Sequence, residues 1–401
     1  MSGGALTGVR VVELATMVAG PYCGKLLADL GADVIKVEPP EGDPSRECGP
    51  FPTSGPHPEH SAMFLYLNTS KRGITLNPDV VEGLEALKRL VKWADILIDS
   101  FPPERLEGFG LDREALTRLN PALIYTSITP YGRTGPRAGV KGDELTLIHA
   151  GGLGNLLPTR SVDVDRAPMK MGGYAVGYHG GITAALATMA ALLNQRKTGR
   201  GRLIDISLQE VILAMVRTGL AGNRYQDSTW SRVPDRPPAM GRMKTRDGYI
   251  VAGTPEDHHF RAFRELIGNP EWLAGKQWES LAYRAHHMME VTDKIDEWVL
   301  QQSKDELHHR GARMGIAMGP LNSAEDLMKD EQYAAREYFV EVEHPRGGKH
   351  RYAGWPYRMT ATSPRVQRPA PLLGEHNGEI YGSLMEYSSE EYELLRRAGA
   401  V

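Results

Sequence analysis

Short apolar runs alternate with helical spacing over the first two hundred residues, and this alternation limits the fold more than any other feature of the chain. VRVVEL (9–14), ADVIKVE (32–38), ADILIDSF (94–101) and ALIYTSI (122–128) each read as buried strands. Between them, Pro21 to Leu30 and residues 81–93 (VEGLEALKRLVKW) place apolar residues at helical intervals. Strands separated by helices pair in parallel, with the helices crossing over the sheet faces and the binding loops at the strand C-termini. The expected class is α/β, with a doubly wound parallel sheet.

The alternation continues in residues 175–208, AVGYHGGITAALATMAALLNQRKTGRGRLIDISL. Ile182, Leu186, Met189 and Leu193 recur at spacings of three and four along an alanine-rich helix, Lys197 and Gly199 close it, and Leu203, Ile204 and Ile206 begin a strand. The entrance of this helix, Val176-Gly177-Tyr178, approaches an N-terminus without a reactive side chain at its centre. After about residue 222 the texture changes. NRYQDSTWSRVPDRPPAMG reads as a linker, GRMKTRDGYIVAGT as a hairpin turning at Asp247-Gly248, and charged amphipathic helices follow to about residue 333. GGKHRYAGWPYRMT reads as extended, and Ser388 with Glu391 forms a capping-box pattern before the last helix. The expected organisation is a large domain in 1–222, a linker with a small α+β domain in 223–335, and a return to the large domain in 336–401.

Composition narrows the function classes. A formal charge of −3 provides no basic field for nucleic acid and no polybasic anchor for a membrane. No apolar run is read as long enough to span a bilayer, and MSGGALTG lacks a basic, then apolar, leader, so the expected location is the cytoplasm. Two cysteines, Cys23 and Cys48, do not make a disulfide framework.

The familiar catalytic patterns are missing. The loop ATMVAGP (15–21) lacks GxGxxG; its small residues Ala19 and Gly20 could let a flat ligand approach the backbone, and a plain tight connection would use the same residues. The pairs His258-His259, His286-His287 and His308-His309 are adjacent, so on a helix they point about 100° apart and are read as unable to chelate one metal. No carboxylate or cysteine cluster is seen to complete such a site, and no metal is expected. There is no GxSxG elbow and no GxxxxGK[ST] loop. Asp143, in GVKGDELTL, suits a helix N-cap as well as a ligand contact.

Several stretches in order resemble the class III CoA-transferases, a family that includes carnitine and formate CoA-transferases and the α-methylacyl-CoA racemases. They are residues 8–46, LYLNTSKRGITLN (65–77), ADILIDSFPPERLEGFGLD (94–112), NPALIYTSITPYGRTGP (120–136), KTGRGRLIDISL (197–208) and LLGEHNGEIYG (372–382). The resemblance implies a large Rossmann-like domain, a small domain, and two ring-like chains interlocked as a dimer. It implies coenzyme A as the carried group, with Thr16, Val18, Ala19, Leu76, Asn77, Ser100, Phe101, Arg105, Lys141 and Asp143 as the residues that meet it. Family arginines for the CoA phosphates fall here on Pro39, Pro102 and Gly108, with Arg105 standing near as a substitute.

In that family an aspartate at the entrance of the alanine-rich helix attacks the acyl-CoA thioester, and a mixed anhydride and then an enzyme–CoA thioester follow. Counting from Pro168 through Lys170 and Gly172 to Thr198-Gly199 without a gap, the aspartate's position falls on Gly177. Asp163 and Asp165 are the nearest other carboxylates upstream, and Gly142 stands where the racemases place a histidine. The resemblance therefore implies no nucleophile in this chain. The expected role is a subunit of a heteromeric CoA-transferase, moving CoA between an acyl-CoA such as succinyl-CoA and a carboxylic acid, with a homologous partner supplying the aspartate. The alternatives are a CoA-ester isomerase, racemase or lyase using Tyr174, Tyr178, His179 or Glu144, and a CoA-binding protein without turnover. A glycine at position 177 is also expected to open volume for a bulky acyl group.

Overall fold

The computed structural model describes residues 3–401 apart from 53–54, 159, 162–164, 227–232, 235–240 and 255. The chain divides into two units: residues 1–157, 168–231 and 338–401 form one, and residues 158–167 and 232–337 the other.

The large unit is built on a six-stranded parallel sheet. Its strands are β1 (Arg10–Leu14), β2 (Asp33–Glu38), β3 (Arg72–Thr75), β4 (Ile96–Asp99), β5 (Ile124–Thr129) and, beyond a two-residue β6 (Arg160–Ser161) that belongs to the small unit, β7 (Leu203–Ser207). The order across the sheet is β3-β2-β1-β4-β5-β7, all parallel. From β1 the chain winds outward to β3, then returns to β4 and winds the other way. The C-terminal ends of β1 and β4 thus flank a topological switch point, where such sheets leave a crevice.

Helices cover both faces. On one face, α3 (Val81–Trp93), α5 (Arg113–Leu119) and the C-terminal helix Ser389–Arg397 close a core around Val12, Ile35, Leu90 and Leu97. On the other, α1 (Ala19–Asp29) and α7 (Ala175–Thr198) pack over Val11, Val34, Ile96 and Ile124. The sequence-derived strands stand where expected, as does the C-terminal helix, whose Ser388 and Glu391 form a reciprocal capping box.

The buried face of α7 is not marked by its large apolar residues, and one reading of the helix needs correction. Its buried residues are Val176, Gly177, Gly180, Gly181, Ala184, Ala185, Thr188 and Leu192, whereas Ile182, Leu186 and Leu193 are exposed. The small side chains face inward because α1 comes too close for larger ones: a Cβ on Gly181 would lie 2.7 Å from the Ala19 carbonyl oxygen. The same composition makes α7 long and apolar enough to cross a membrane, contrary to the expectation that no such run exists; here its Gly/Ala face packs on α1 and the sheet.

The small unit has a three-stranded antiparallel sheet of β9 (Arg242–Thr245), β10 (Gly248–Gly253) and β11 (Ala317–Pro320), besides the pair β6 with β8 (Val233–Pro234). The β9–β10 hairpin turns at Asp247 as the sequence implies. Helix α10 (Asp257–Leu266) buries Phe260 and Phe263 against this sheet's core with Leu273, Val299 and Leu307. The segment read as a linker is in part helical, since a helix spans Arg217–Gln226; most of its remainder lies outside the described residues. Strands β12 (Phe339–His344) and β13 (Gly348–Ala353) form a hairpin in the large unit.

Candidate active site

The loop after β1 positions the site. Between Leu14 and Ala19 the backbone turns through Met17, which adopts a left-handed φ of 63°. A non-glycine residue held there costs about 1 kcal/mol and needs surroundings that enforce it. They are a fully buried charge network from β1, β2 and the following loop. The Asp43 carboxylate accepts from Met17 N at 3.1 Å, from Ser45 N at 2.8 Å and from Lys36 Nζ at 2.8 Å. Lys36 also donates to the Ala15 carbonyl at 3.0 Å and to Glu13 at 3.2 Å, and Glu13 pairs with Lys71 at 2.8 Å. Burial alone would raise the Asp43 carboxyl pKa, but the Lys36 charge and the hydrogen bonds from Lys36 and Ser45 hold it below its ordinary value. Burial opposes the charge on Lys36, yet Asp43, Glu13 and Glu38 raise its pKa.

Held in this way, the loop faces two regions. Thr16 turns to the switch-point crevice, where its backbone N–H donates to Ser100 Oγ at 3.1 Å. A cavity of about 290 Å3 opens there, lined by Leu14 and Thr16 at the end of β1, Val37 to Glu41 at the end of β2, Leu76 to Asp79 after β3, and by Leu87, Phe101 and Arg105. Thr16, Leu76, Asn77, Phe101 and Arg105, five of the residues expected to meet CoA, therefore share one cavity. Sequence reasoning missed the larger part of its lining, notably Glu38, Glu41 and Asp79, because no motif marks them.

The cavity's charge is weakly suited to phosphates. Arg105 is its only basic residue, and Asp79 pairs with that guanidinium at 2.6 Å. Glu38 is engaged elsewhere, by Arg46 at 2.7 Å. Lys141 and Asp143 do not line it. Asp143 caps α6 (Glu144–Ala150) with a capping box to Thr146, the N-cap role that the sequence left open.

Val18 and Ala19 face the other way, toward the α7 entrance. Val18 is buried with Met63 and Leu67 among the half-buried Met17, Tyr22, Cys48, Tyr66, Tyr174 and Tyr178. Gly177 lies directly against it: a Cβ there would stand 2.7 Å from Val18 Cβ and 2.8 Å from Val18 Cγ1. The expectation of open volume at Gly177 is thus corrected. Glycine allows a close approach, and Val18 occupies the space.

A carboxylate does reach the entrance from α6. Glu144 accepts from Val176 N through Oε1 at 2.7 Å and from Gly177 N through Oε2 at 3.3 Å, so it caps the free donors of the first turn. The other acid–base candidates are poorly poised. Burial pushes the Tyr178 hydroxyl up to about 12 and raises that of Tyr174, while His179 Nδ1 is 2.7 Å from the Ala175 carbonyl of its own helix. Asp163 lies outside the described residues, and Asp165 belongs to the small unit.

One expectation about histidines also changes. At the start of α10, His258 and His259 have ring centroids 3.9 Å apart, and with Glu256 they bring three potential ligand atoms within 4.8 Å of one another. The carboxylate comes from the residue before the helix, and His258 Nδ1 is 3.1 Å from it.

This architecture has counterparts. The sequence matches the profile of CoA-transferase family III over residues 6–377. It is 33% identical over 385 residues to succinate–glutarate CoA-transferase of Agrobacterium fabrum, covering 94% of this chain and 95% of that protein. It is also 33% identical to the BbsE subunit of succinyl-CoA:(R)-benzylsuccinate CoA-transferase of Thauera aromatica, covering 98% and 97%. The crystal structure of a CAIB/BAIF family protein from Brucella suis superposes with a TM-score of 0.84 at 30% identity, over 96% of this chain and all of that one. The match runs over nearly the whole chain, and the chain belongs to CoA-transferase family III.

Proposed function

We propose that this chain is the non-nucleophilic subunit of a heteromeric class III CoA-transferase, moving CoA between an acyl-CoA such as succinyl-CoA and a carboxylic acid. The α7 entrance carries this reading: position 177 has no side chain, and Val18 fills the space one would need. Glu144, the carboxylate at hand, has both oxygens engaged by backbone N–H groups, which draws electron density from a would-be nucleophile.

A homologous partner in an interlocked assembly then supplies the aspartate. Its carboxylate attacks the thioester carbonyl and CoA thiolate leaves; the thiolate then attacks the enzyme-side carbonyl of the anhydride, releasing the donor acid as its carboxylate and forming the enzyme thioester that the acceptor acid resolves. This chain contributes the cavity around Thr16, Leu76, Asn77 and Phe101, placed where doubly wound sheets hold nucleotides. Support for succinyl-CoA comes from the name of the benzylsuccinate relative, which is also named as a subunit and so supports a heteromer, and the other relative's name includes succinate.

The test is the intact mass of the purified chain after incubation with succinyl-CoA alone. The expected result is no covalent CoA or succinyl adduct and no transfer to added acids. An adduct on Glu144, or turnover by this chain alone, would overturn the reading.

A further inference from the structure

The large unit has a second cleft, at the other end of the sheet. It measures about 330 Å3 and lies where α5 passes beside the residues leading into β5 and β7. In a parallel sheet the strand N-termini point away from the C-terminal crevice, so this cleft is distinct from the cavity around Thr16. Its floor is apolar, with Leu116, Leu123 and Leu203, and Tyr125 beside them. Its charged residues are Arg113, Arg200 and Arg202, and no carboxylate among the described residues lines it.

The arginines are held near one another by the backbone. Gly201 N donates to the Pro121 carbonyl at 2.9 Å, and Tyr125 N donates to the Arg202 carbonyl at 2.8 Å. A Cβ on Gly201 would lie 1.8 Å from the Leu123 carbonyl oxygen, so the chain passes this close to the strand entry only as glycine. The segment from Arg200 to Arg202 is thereby pinned against the cleft. None of the three guanidinium groups has an ion pair or a hydrogen bond among the described residues. Three unpaired guanidinium groups lining one cleft, in a chain of net charge −3, together attract an anion more strongly than any one would.

We propose that this cleft binds a small organic phosphate ester, its oxyanion held by the guanidinium groups of Arg113, Arg200 and Arg202 and its apolar or ring-shaped body lying on the leucines. Guanidinium forks match phosphate oxygens two at a time, and the apolar floor adds affinity that a bare inorganic ion cannot collect. The site does not depend on the chain's catalytic role.

Calorimetric titration of the intact chain with phenyl phosphate at low ionic strength tests it. The expected dissociation constant is about 1 mM or tighter, a few-fold tighter than for inorganic phosphate. An R113Q/R200Q/R202Q variant, whose three changes are at exposed side chains, should bind about tenfold more weakly while keeping the parent's circular dichroism and melting temperature. Absence of heat, or equal affinity in the variant, would overturn the proposal. Equal affinity for phenyl phosphate and inorganic phosphate would overturn the apolar half of it.

Discussion

Val18 stands where any side chain at position 177 would have to go, with Val18 Cβ 2.7 Å from the place of a Cβ on Gly177. The two residues lie on different elements, the loop entering α1 and the first turn of α7, and each accommodates the other. On the proposed reading, an aspartate placed at 177 therefore does not by itself restore a nucleophile. Gly177→Asp alone should lower stability by about 1–3 kcal/mol through overpacking and should give no transferase activity. Val18→Ala alone should cost about 2 kcal/mol through the void it leaves. Combined, they should cost clearly less than their sum, and thermal melts of the four proteins measure the coupling. Simple additivity would mean that the two positions do not share this space.

The left-handed Met17 depends on buried charge. Asp43→Asn removes the charge opposite Lys36, and breaking a buried pair on one side costs about 3–5 kcal/mol. Met17→Gly relieves the backbone strain while losing the half-buried side chain's packing, so its net cost should stay below about 2 kcal/mol. Denaturant midpoints of the two variants check the contrast; a Met17→Gly loss comparable to that of Asp43→Asn would contradict it.

CoA should be held weakly by this chain because Asp79 competes for Arg105. Removing the competitor with Asp79→Asn should tighten CoA binding about threefold, and Arg105→Gln should weaken it by a similar factor, both small because the pair is exposed. Calorimetry with CoA reads both, and the account requires the two changes to have opposite signs.

Asp99, fully buried at the end of β4, has its carboxyl pushed up to about 6 by burial, against the pull of Tyr125, the Phe101 N–H and Arg133. Between about pH 4 and pH 6 the folded chain holds this proton more tightly than the unfolded chain. The stability it contributes is therefore present below about pH 4 and lost as pH rises through 6, a swing of about 3 kcal/mol. Asp99→Asn, which stays neutral, should raise the melting temperature more at pH 7.5 than at pH 5. Equal shifts at both would contradict this assignment.

The strands of the large sheet were legible because each is a short, mainly apolar run with buried neighbours on both faces, Val11, Val12, Ile35 and Ile96 among them. The inward face of α7 was not, because periodicity weights large apolar residues, and here close approach selects glycine and alanine while Leu186 and Leu193 stay exposed. About a third of the crevice lining was readable through resemblance. Glu38, Glu41 and Asp79 reach it only because three strands end side by side. Likewise, Glu13, Lys36, Asp43 and Lys71 are distant in sequence, and no spacing rule joins them. Glu144 was one of several acid–base candidates; that its carboxylate caps α7 follows from how α6 and α7 meet.

The central claim is that the nucleophile belongs to another chain. The most direct measurement is isolation of the untagged protein from its native source, with mass spectrometry of whatever chain remains bound to it. The account predicts a homologous chain with aspartate at the position of Gly177, and CoA transfer by the pair that neither chain performs alone. A homodimer of this chain that transfers CoA would contradict it.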